Sequence, residues 1–301
     1  HVRRPADTGA AVRRVRRRIR RALLALLLAL VLTAGISAVV CRFSLKVTAY
    51  AVTVRGLTAS CRTVVLSDLH SREYGKENAA LLARVAEQQP DAIFCIGDFI
   101  SRDATEAELQ QLDALLRRLG EIAPVFWSPG NHEVAYMNDH GFGLLDTVAA
   151  AGATVLYDTW VQTTLGGAAV RIGGSCGHCR DINQYVKLDY AMEESIGASG
   201  VPGIVLLHMP ESLLLDDARE RWTGQVFLSG HTHGGVIRIP LIGGLVAPTQ
   251  GFFPKYDQGE FTIDGRMTLI ITSGLAGYDW VPRIFNRPEV CVVDLQPGEG
   301  D

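Results

Sequence analysis

The stretch LSGHTHGG, residues 228 to 235, sets His231 and His233 one residue apart, directly after the apolar run Val226-Phe227-Leu228. Residues i and i+2 of an extended chain point to the same side, so both rings can aim at one point. Two neutral imidazole nitrogens converging on a point suit a metal ion. Alone, the pair is equally well read as a solvated turn. A metal reading requires further ligands at comparable places.

Four other apolar runs carry them. SDLHS gives Asp68 and His70, again at i and i+2, and IGDF gives Asp98 after Gly97. SPGNHE gives Asn131 and His132, and LLHMP gives His208. Each residue has a bland alternative: Asp98 as a turn aspartate, Asn131 as a turn residue, His208 as a satisfied core histidine. The set as a whole has none, because it would need five independent coincidences of residue type and place. Carboxylate, amide and imidazole groups gathered at one sheet edge suit divalent cations of the manganese, iron or zinc type.

The elements that must deliver these residues are legible as pattern. SLKVTAYAVTV alternates and reads as a half-buried strand, and TVVLSD and DAIFCIGD read as buried strands. ENAALLARVAEQQ reads as a helix that stops before Pro90. TEAELQQLDALLRRLG reads as a second helix, with Thr105 as its N-cap. APVFWSPGN is a strand and turn, and GFGLLDTVAAAG a helix. Short strands follow near 153–157, 160–165 and 169–174. VPGIVLLHMP, GQVFLSGHTH, MTLIITSG and EVCVVDL are the later strands. The order, β-α-β-α early and mixed β later, predicts an α/β fold.

The five blocks D-x-H, G-D, G-N-H-E, H and G-H-T-H resemble the calcineurin-like metallophosphoesterases. They stand here, in order, as Asp68-Leu69-His70, Gly97-Asp98, Gly130-Asn131-His132-Glu133, His208 and Gly230-His231-Thr232-His233. The resemblance covers roughly residues 45 to 295. The tail GHTHGGVIRIPLIGG…FNRPEV is similar to the membrane-associated bacterial branch with UDP-2,3-diacylglucosamine hydrolase-like members. The resemblance implies a four-layer α-β-β-α sandwich with two mixed sheets. It implies one metal held by Asp68, His70, Asp98 and His233, and a second held by Asp98, Asn131, His208 and His231. Asp98 then bridges two divalent ions (Mn, Zn or Fe), and a hydroxide shared by them attacks phosphorus in line. His132 is left to stabilise or protonate the leaving oxygen as a general acid. Related enzymes often carry an aspartate three residues after the bridging one, supporting that histidine. Here the position is Ser101, with Asp103 or Glu133 as candidate substitutes. Arg102 is a candidate substrate-phosphate ligand. Tyr185, Lys187, Tyr256, Trp280 and Arg287 are candidate pocket residues.

The expected activity is hydrolysis of a phosphodiester or pyrophosphate bond, in a lipid or envelope component. The alternatives are a phosphomonoesterase or nucleotidase on small substrates, and a non-catalytic membrane-tethered scaffold. Charge bears on this choice. Residues 1 to 21 hold nine arginines and one aspartate, or +8, which leaves −11 on the other 280 residues of a chain of net charge −3. An acidic domain lacks the basic face that nucleic acid requires. Ala22 to Val40 is an uncharged run of 19 residues, which as a helix spans roughly 28 Å. A cleaved signal peptide would begin with a similar basic region but usually has a shorter apolar core. The expected organisation is therefore an arginine-rich cytoplasmic tail at 1–21, a transmembrane signal-anchor at 22–40 and a catalytic domain at 41–301. That domain is expected on the extracytoplasmic side of the cell membrane. Of six cysteines, Cys95 and Cys291 sit in apolar runs as buried small hydrophobes, while Cys176 and Cys179 have the C-x-x-C spacing of a local disulfide.

Overall fold

The computed structural model describes residues 8–177, 191–214, 217–277 and 281–298. One sheet has the order β1-β16-β2-β3-β4-β5. Its strands are β1 (Lys46–Arg55), β2 (Cys61–Leu66), β3 (Ala92–Ile96), β4 (Val125–Ser128), β5 (Thr154–Val155) and β16 (Glu289–Gly298). The other has the order β14-β15-β9-β8-β7-β6. It is built from β6 (Thr159–Leu165), β7 (Ala168–Ser175), β8 (Gly203–Leu207), β9 (Val226–Ser229), β14 (Gly259–Ile263) and β15 (Met267–Ile271). Two small hairpins lie between β9 and β14: β10 (Arg238–Ile239) with β11 (Gly243–Gly244), and β12 (Val246–Ala247) with β13 (Gly251–Phe252).

Both sheets are mixed. In the first, β2, β3, β4 and β5 run parallel and β16 runs antiparallel to β2. In the second, β7, β8, β9 and β15 are parallel, with β6 and β14 antiparallel at the edges. The central strands are apolar throughout because both of their faces are covered. In β3, Phe94 and Ile96 pack into the core between the sheets, whereas Ile93 and Cys95 face a second core under the helices. In β8, Ile204 and Leu206 join the inter-sheet core, and Val205 and Leu207 face a third.

The outer face of the first sheet is covered by α2 (Ala79–Ala86), α3 (Glu106–Gly120), α4 (Asn131–His140) and α5 (Gly143–Ala150). The second sheet is covered by α6 (Ala191–Ser195), α7 (Glu211–Leu214) and Trp222. The result is the expected four-layer α-β-β-α sandwich. Thr105 caps α3 as anticipated: its hydroxyl accepts from the Glu108 N–H and the Glu108 carboxylate takes the Thr105 N–H. The helix α4, by contrast, lies where the sequence reads as turn. It lacks a continuous apolar face, and its start is capped by Glu133.

The N-terminal helix α1 runs continuously over Thr8–Phe43, well beyond the uncharged segment. It is long and apolar enough to cross a membrane, and its apolar stretch is not buried by the rest of the chain. Cys95 and Cys291 are buried free thiols, as expected. Cys176 is also a buried free thiol, and Cys179 lies outside the described residues.

Candidate metal centre

The site lies where five parallel strands end. Asp68 and His70 follow β2, Asp98 follows β3, and Asn131 and His132 follow β4 and open α4. From the second sheet, His208 follows β8, and His231 and His233 follow β9. The carboxyl ends of parallel strands are the usual binding edge of an α/β sheet. The two edges are tied together. His231 N–H donates to both Asp68 carboxylate oxygens, at 3.0 and 3.2 Å, and His208 Nδ1 lies 2.8 Å from the Ile96 carbonyl.

The backbone turns sharply at these residues. φ is 55° at Asp68, 47° at His70, 55° at Asp98, 67° at His231 and 48° at His233. A non-glycine residue in this left-handed region costs about 1–3 kcal/mol, and such strain gathers at functional sites. The turn brings each side chain back over the strand ends. Two glycines permit the close approach. A Cβ on Gly130 would lie 2.2 Å from Asp98 Oδ1, and one on Gly230 would lie 2.0 Å from Ser67 Oγ.

Among the described residues, three groups bring their ligand atoms within 4.8 Å of one another: Asp68, His70 and His233; Asp98, His208 and His231; and His70, Asp98 and His132. Asp98 stands between the first two. Its Oδ2 is 3.1 Å from His208 Nε2 and 3.8 Å from His70 Nε2, and its Oδ1 accepts the His132 N–H at 2.9 Å. Nε2 of His70, Nε2 of His231 and Oδ1 of Asn131 are buried without a hydrogen-bond partner. Such groups are costly to bury unless something satisfies them. A cation fits: all three are lone-pair donors, the two imidazoles fall in the same groups as Asp68 and Asp98, and Asn131 directly follows Gly130, against which Asp98 packs.

The titration directions agree. Burial pushes the pKa of His70 down to about 4, that of His231 to about 3 and that of His233 to about 4. These rings are held neutral, the form that ligates metal. Burial also opposes charge on His208, but the Asp98 carboxylate beside it prevails and drives the pKa up to about 10. Burial likewise works against ionised Asp98, yet His208 and His70 hold it below the usual carboxylate range. The Asp98–His208 ion pair thus supplies, with a proton, positive charge where a metal ion would supply it. Burial raises the pKa of Asp68, the second carboxylate of the cluster.

Neither proposed substitute for the missing aspartate supports His132. The Glu133 carboxylate is occupied by four backbone N–H groups, those of Asp98, Phe99, Ile100 and Gly130, at 2.7 to 3.2 Å. It shapes the Asp98 loop. Asp103 lines a cleft of about 760 Å³ next to Ser101 and His70 and makes no described bond to His132. His132 Nδ1 instead faces the Arg102 backbone N–H at 3.3 Å. A backbone N–H can only donate, so Nδ1 accepts and the ring proton sits on Nε2.

Arg102 meets the site through that N–H. Its guanidinium is largely exposed and paired with Asp139 on α4 at 2.9 Å. Tyr256 packs edge-to-face on Phe261 beside the outer core of the second sheet. Arg287 donates to Ser44 Oγ and to the Leu45 carbonyl, joining the end of α1 to the domain. Tyr185, Lys187 and Trp280 lie outside the described residues.

Two residues escape the sequence reading. Arg283 is buried and donates to the carbonyls of Ser273, Ala276 and Asn286 and to Asn286 Oδ1. Asn286 Nδ2 in turn donates to the carbonyls of His233 and Val236, at 2.7 and 3.0 Å. The Ala276 carbonyl lies 3.1 Å from His233 Nδ1. Together they fix the orientation of His233, as outer hydrogen bonds do for metal ligands. The available signal was one of two arginines and the asparagine within VPRIFNRPE.

Comparison with known proteins agrees with this geometry. Residues 61–235 match the calcineurin-like phosphoesterase family. The chain is 27% identical over 244 residues to phosphodiesterase YaeI of Escherichia coli (strain K12), covering 79% of this chain and 83% of that one. It is 23% identical over 277 residues to UDP-2,3-diacylglucosamine pyrophosphatase LpxG of Chlamydia muridarum, covering 77% and 82%. Among solved structures, TT1561 of Thermus thermophilus is similar at a TM-score of 0.44 and 14% identity, over 72% of this chain and 92% of that one. With the family's match spanning more than half of its length, the chain belongs to the calcineurin-like phosphoesterases, metal-dependent hydrolases of phosphoric esters.

Proposed function

We propose that the chain is a membrane-anchored phosphoesterase with two divalent metal ions, hydrolysing a phosphodiester or pyrophosphate bond in a lipid or envelope component. The observation that carries the metal assignment is the pair of buried, unpartnered nitrogens on His70 and His231, gathered with Asp68 and Asp98, beside which the Asn131 oxygen is also buried without a hydrogen-bond partner. In this reading Asp68, His70, Asp98 and His233 hold one ion, and Asp98, Asn131, His208 and His231 hold the other. When bound, the ions would supply Lewis acidity toward the phosphoryl group and activation of a water molecule.

The chain's own residues do the rest. Asp98 offers two oxygens to the centre and keeps its orientation through the His132 and Glu133 contacts. His132, with its proton on Nε2, donates a hydrogen bond toward a phosphoryl or leaving-group oxygen. With Nδ1 accepting from Arg102, it is the Nε2–H that faces the leaving oxygen, to stabilise or protonate it. Support for a lipid substrate comes from the named activity of LpxG and from the acidity of residues 22 to 301. Arg102 remains a candidate phosphate ligand only if its pairing with Asp139 opens.

The test is metal analysis of the purified full chain, with a hydrolysis screen under manganese and zinc. Substrates are bis-p-nitrophenyl phosphate, p-nitrophenyl phosphate, nucleotides and lipid pyrophosphates. Diester or pyrophosphate turnover that depends on metal is expected. Turnover confined to monoesters or nucleotides would assign a phosphomonoesterase. Bound metal with no turnover at all would leave a scaffold.

A further inference from the structure

The cleft onto which His70 opens is closed on one side by α1. Ala38, Val39 and Cys41 line it opposite Ser101 and Val281. Ala38 and Val39 belong to the uncharged run that ends at Val40. The Phe285 N–H donates to Ser37 Oγ, also within that run, at 2.6 Å. Ser37 lies about 9 Å of helix before the end of α1 at Phe43. The domain therefore does not hang below the apolar segment on a linker; it stands beside the segment's last turns.

Exposed apolar surface continues from that point. Ile284 bridges to Ile237 and accepts from the Arg238 N–H, so the Phe285 segment runs directly into the β10–β11 hairpin. The turn of that hairpin carries Leu241 and Ile242, 107% and 67% exposed. Leu245 donates to the Ile237 carbonyl and accepts from the Phe253 N–H at the base of the next hairpin, where Phe252 and Phe253 are exposed. Large apolar side chains left in water along one such run of bonded segments mark a contact surface. Arg42 and Arg72 also line the cleft. Cations at that level suit anionic headgroups.

We propose that this rim, Phe285 with the Leu241–Ile242 turn and the Phe252–Phe253 hairpin base, sits in the bilayer surface around α1. The substrate is then a membrane lipid whose phosphate reaches the metal centre sideways, past Ala38, Val39 and Cys41, while its acyl chains stay in the bilayer. The inference rests on the reading of the chain as a membrane-anchored lipid phosphoesterase, and names where the lipid passes. The occupant follows from continuity: the exposed apolar face of α1 requires a bilayer, and a bilayer around Ser37 meets Phe285.

The full chain, reconstituted into phosphatidylcholine and phosphatidylglycerol vesicles with brominated acyl chains, gives a direct test. Leu241→Trp and Phe252→Trp are expected to add tryptophan emission that bromine quenches, as is Leu28→Trp within α1, while Glu121→Trp on the far helices adds unquenched emission. Quenching at position 28 without quenching at 241 or 252 would overturn the rim. No quenching at position 28 would remove the anchored reading, and the proposal with it. A second arm separates surface from substrate. The Leu241→Asp, Ile242→Asp double variant is expected to lower hydrolysis of vesicle lipid about tenfold, the factor given by 1.4 kcal/mol. Its hydrolysis of soluble bis-p-nitrophenyl phosphate should stay unchanged. An equal fall in both would refute the sideways route. A parent enzyme that cleaves the soluble diester but no vesicle lipid, with positions 241 and 252 still quenched, would also refute that route, and would trace the fault to the substrate class.

Discussion

Asp98 faces three partners at once. One oxygen takes the His132 N–H, the other faces His208, and its own N–H is held by Glu133. Asn tolerates the left-handed conformation that Asp98 adopts, so Asp98→Asn keeps the turn and removes only the charge. Loss of outer-shell partners alone typically costs 10–100-fold in metal affinity or activity, so this variant should lose about 100-fold or more in turnover, with reduced metal content by elemental analysis. A variant with both ions and near-normal turnover would remove the assignment. The histidines give a second prediction, on the metal-free protein. His70, His231 and His233 have folded pKa values depressed to about 4, 3 and 4 against roughly 6.5 unfolded. Their contribution is present above about pH 6.5 and lost as pH falls toward 4. His208 is raised to about 10, so its contribution is full below about 6.5 and lost as pH climbs to 10. The metal-free protein should therefore melt highest near pH 6.5 and drop on the order of 5 °C on either side, as scanning calorimetry can show. Loading with zinc should flatten the alkaline limb, because His208 is then neutral and held by metal. At this scale the proposed ligands were legible as candidates, since residue type at a strand end is written in the sequence. The left-handed φ values were not. They record how far the surrounding strands can force a backbone that Asp and His would otherwise avoid.

Strands deliver the ligands, and strands are what periodicity shows best. VVL, AIFCI, IVLL and VFL are apolar at every position because sheets and helices cover both faces, so their ends could be placed within a residue or two. The element that stayed hidden is α4. NHEVAYMNDH lacks a continuous apolar face, and only Glu133 and Met137 are buried in it. It is held by the Glu133 carboxylate and by β4, which are tertiary facts. The segments 273–277 and 281–286 were hidden for the same reason: Arg283 holds them, and its bonds go to backbone carbonyls that no pattern announces. Asn286→Ala tests this arrangement. It removes the donors to the His233 and Val236 carbonyls and should weaken metal binding about 10–100-fold while the melting temperature of the metal-free protein moves little. Competition with a chromogenic chelator reads the first and calorimetry the second; a fall in stability with unchanged affinity would make the arrangement a structural brace only. The Arg102 turn carries another expectation. With Nδ1 of His132 accepting from the Arg102 N–H, His132→Ala should cost most on esters with poor leaving groups and least on p-nitrophenyl esters. Ser101→Asp should raise turnover of the esters with poor leaving groups if its carboxylate displaces the Arg102 contact and lets Nδ1 carry a proton. Equal losses on good and poor leaving groups would make His132 a phosphate-binding or geometric residue.

The whole molecule combines a strongly basic tail, an apolar helix and an acidic domain in one chain, and these were the most legible features of all, because charge and hydropathy need no fold to be read. What the composition could not show is that α1 continues unbroken from Thr8 to Phe43 and that its last turns form a wall of the cleft. That continuity has a mechanical consequence. Arg287 bonds to Ser44 and Leu45, Arg72 donates to the Arg42 carbonyl, and Phe285 donates to Ser37, so the helix end is clasped by the domain. Cleavage near residue 41 would remove Ala38 and Val39 from the cleft and leave Cys41 and Val281 open to water. An uncleaved anchor therefore keeps the site whole. The orientation we propose follows from arginine asymmetry: nine arginines before residue 22 would hold that end in the cytoplasm. In protoplasts, added protease should digest the domain beyond residue 45 and leave an N-terminal tag before residue 8 protected. With the membrane permeabilised, the tag should be lost as well. A domain protected in intact protoplasts and cut only after permeabilisation would invert the topology. A soluble mature form beginning near residue 41, with full turnover of vesicle lipid, would show that the helix is a cleaved signal and that the wall formed by Ala38 and Val39 is dispensable.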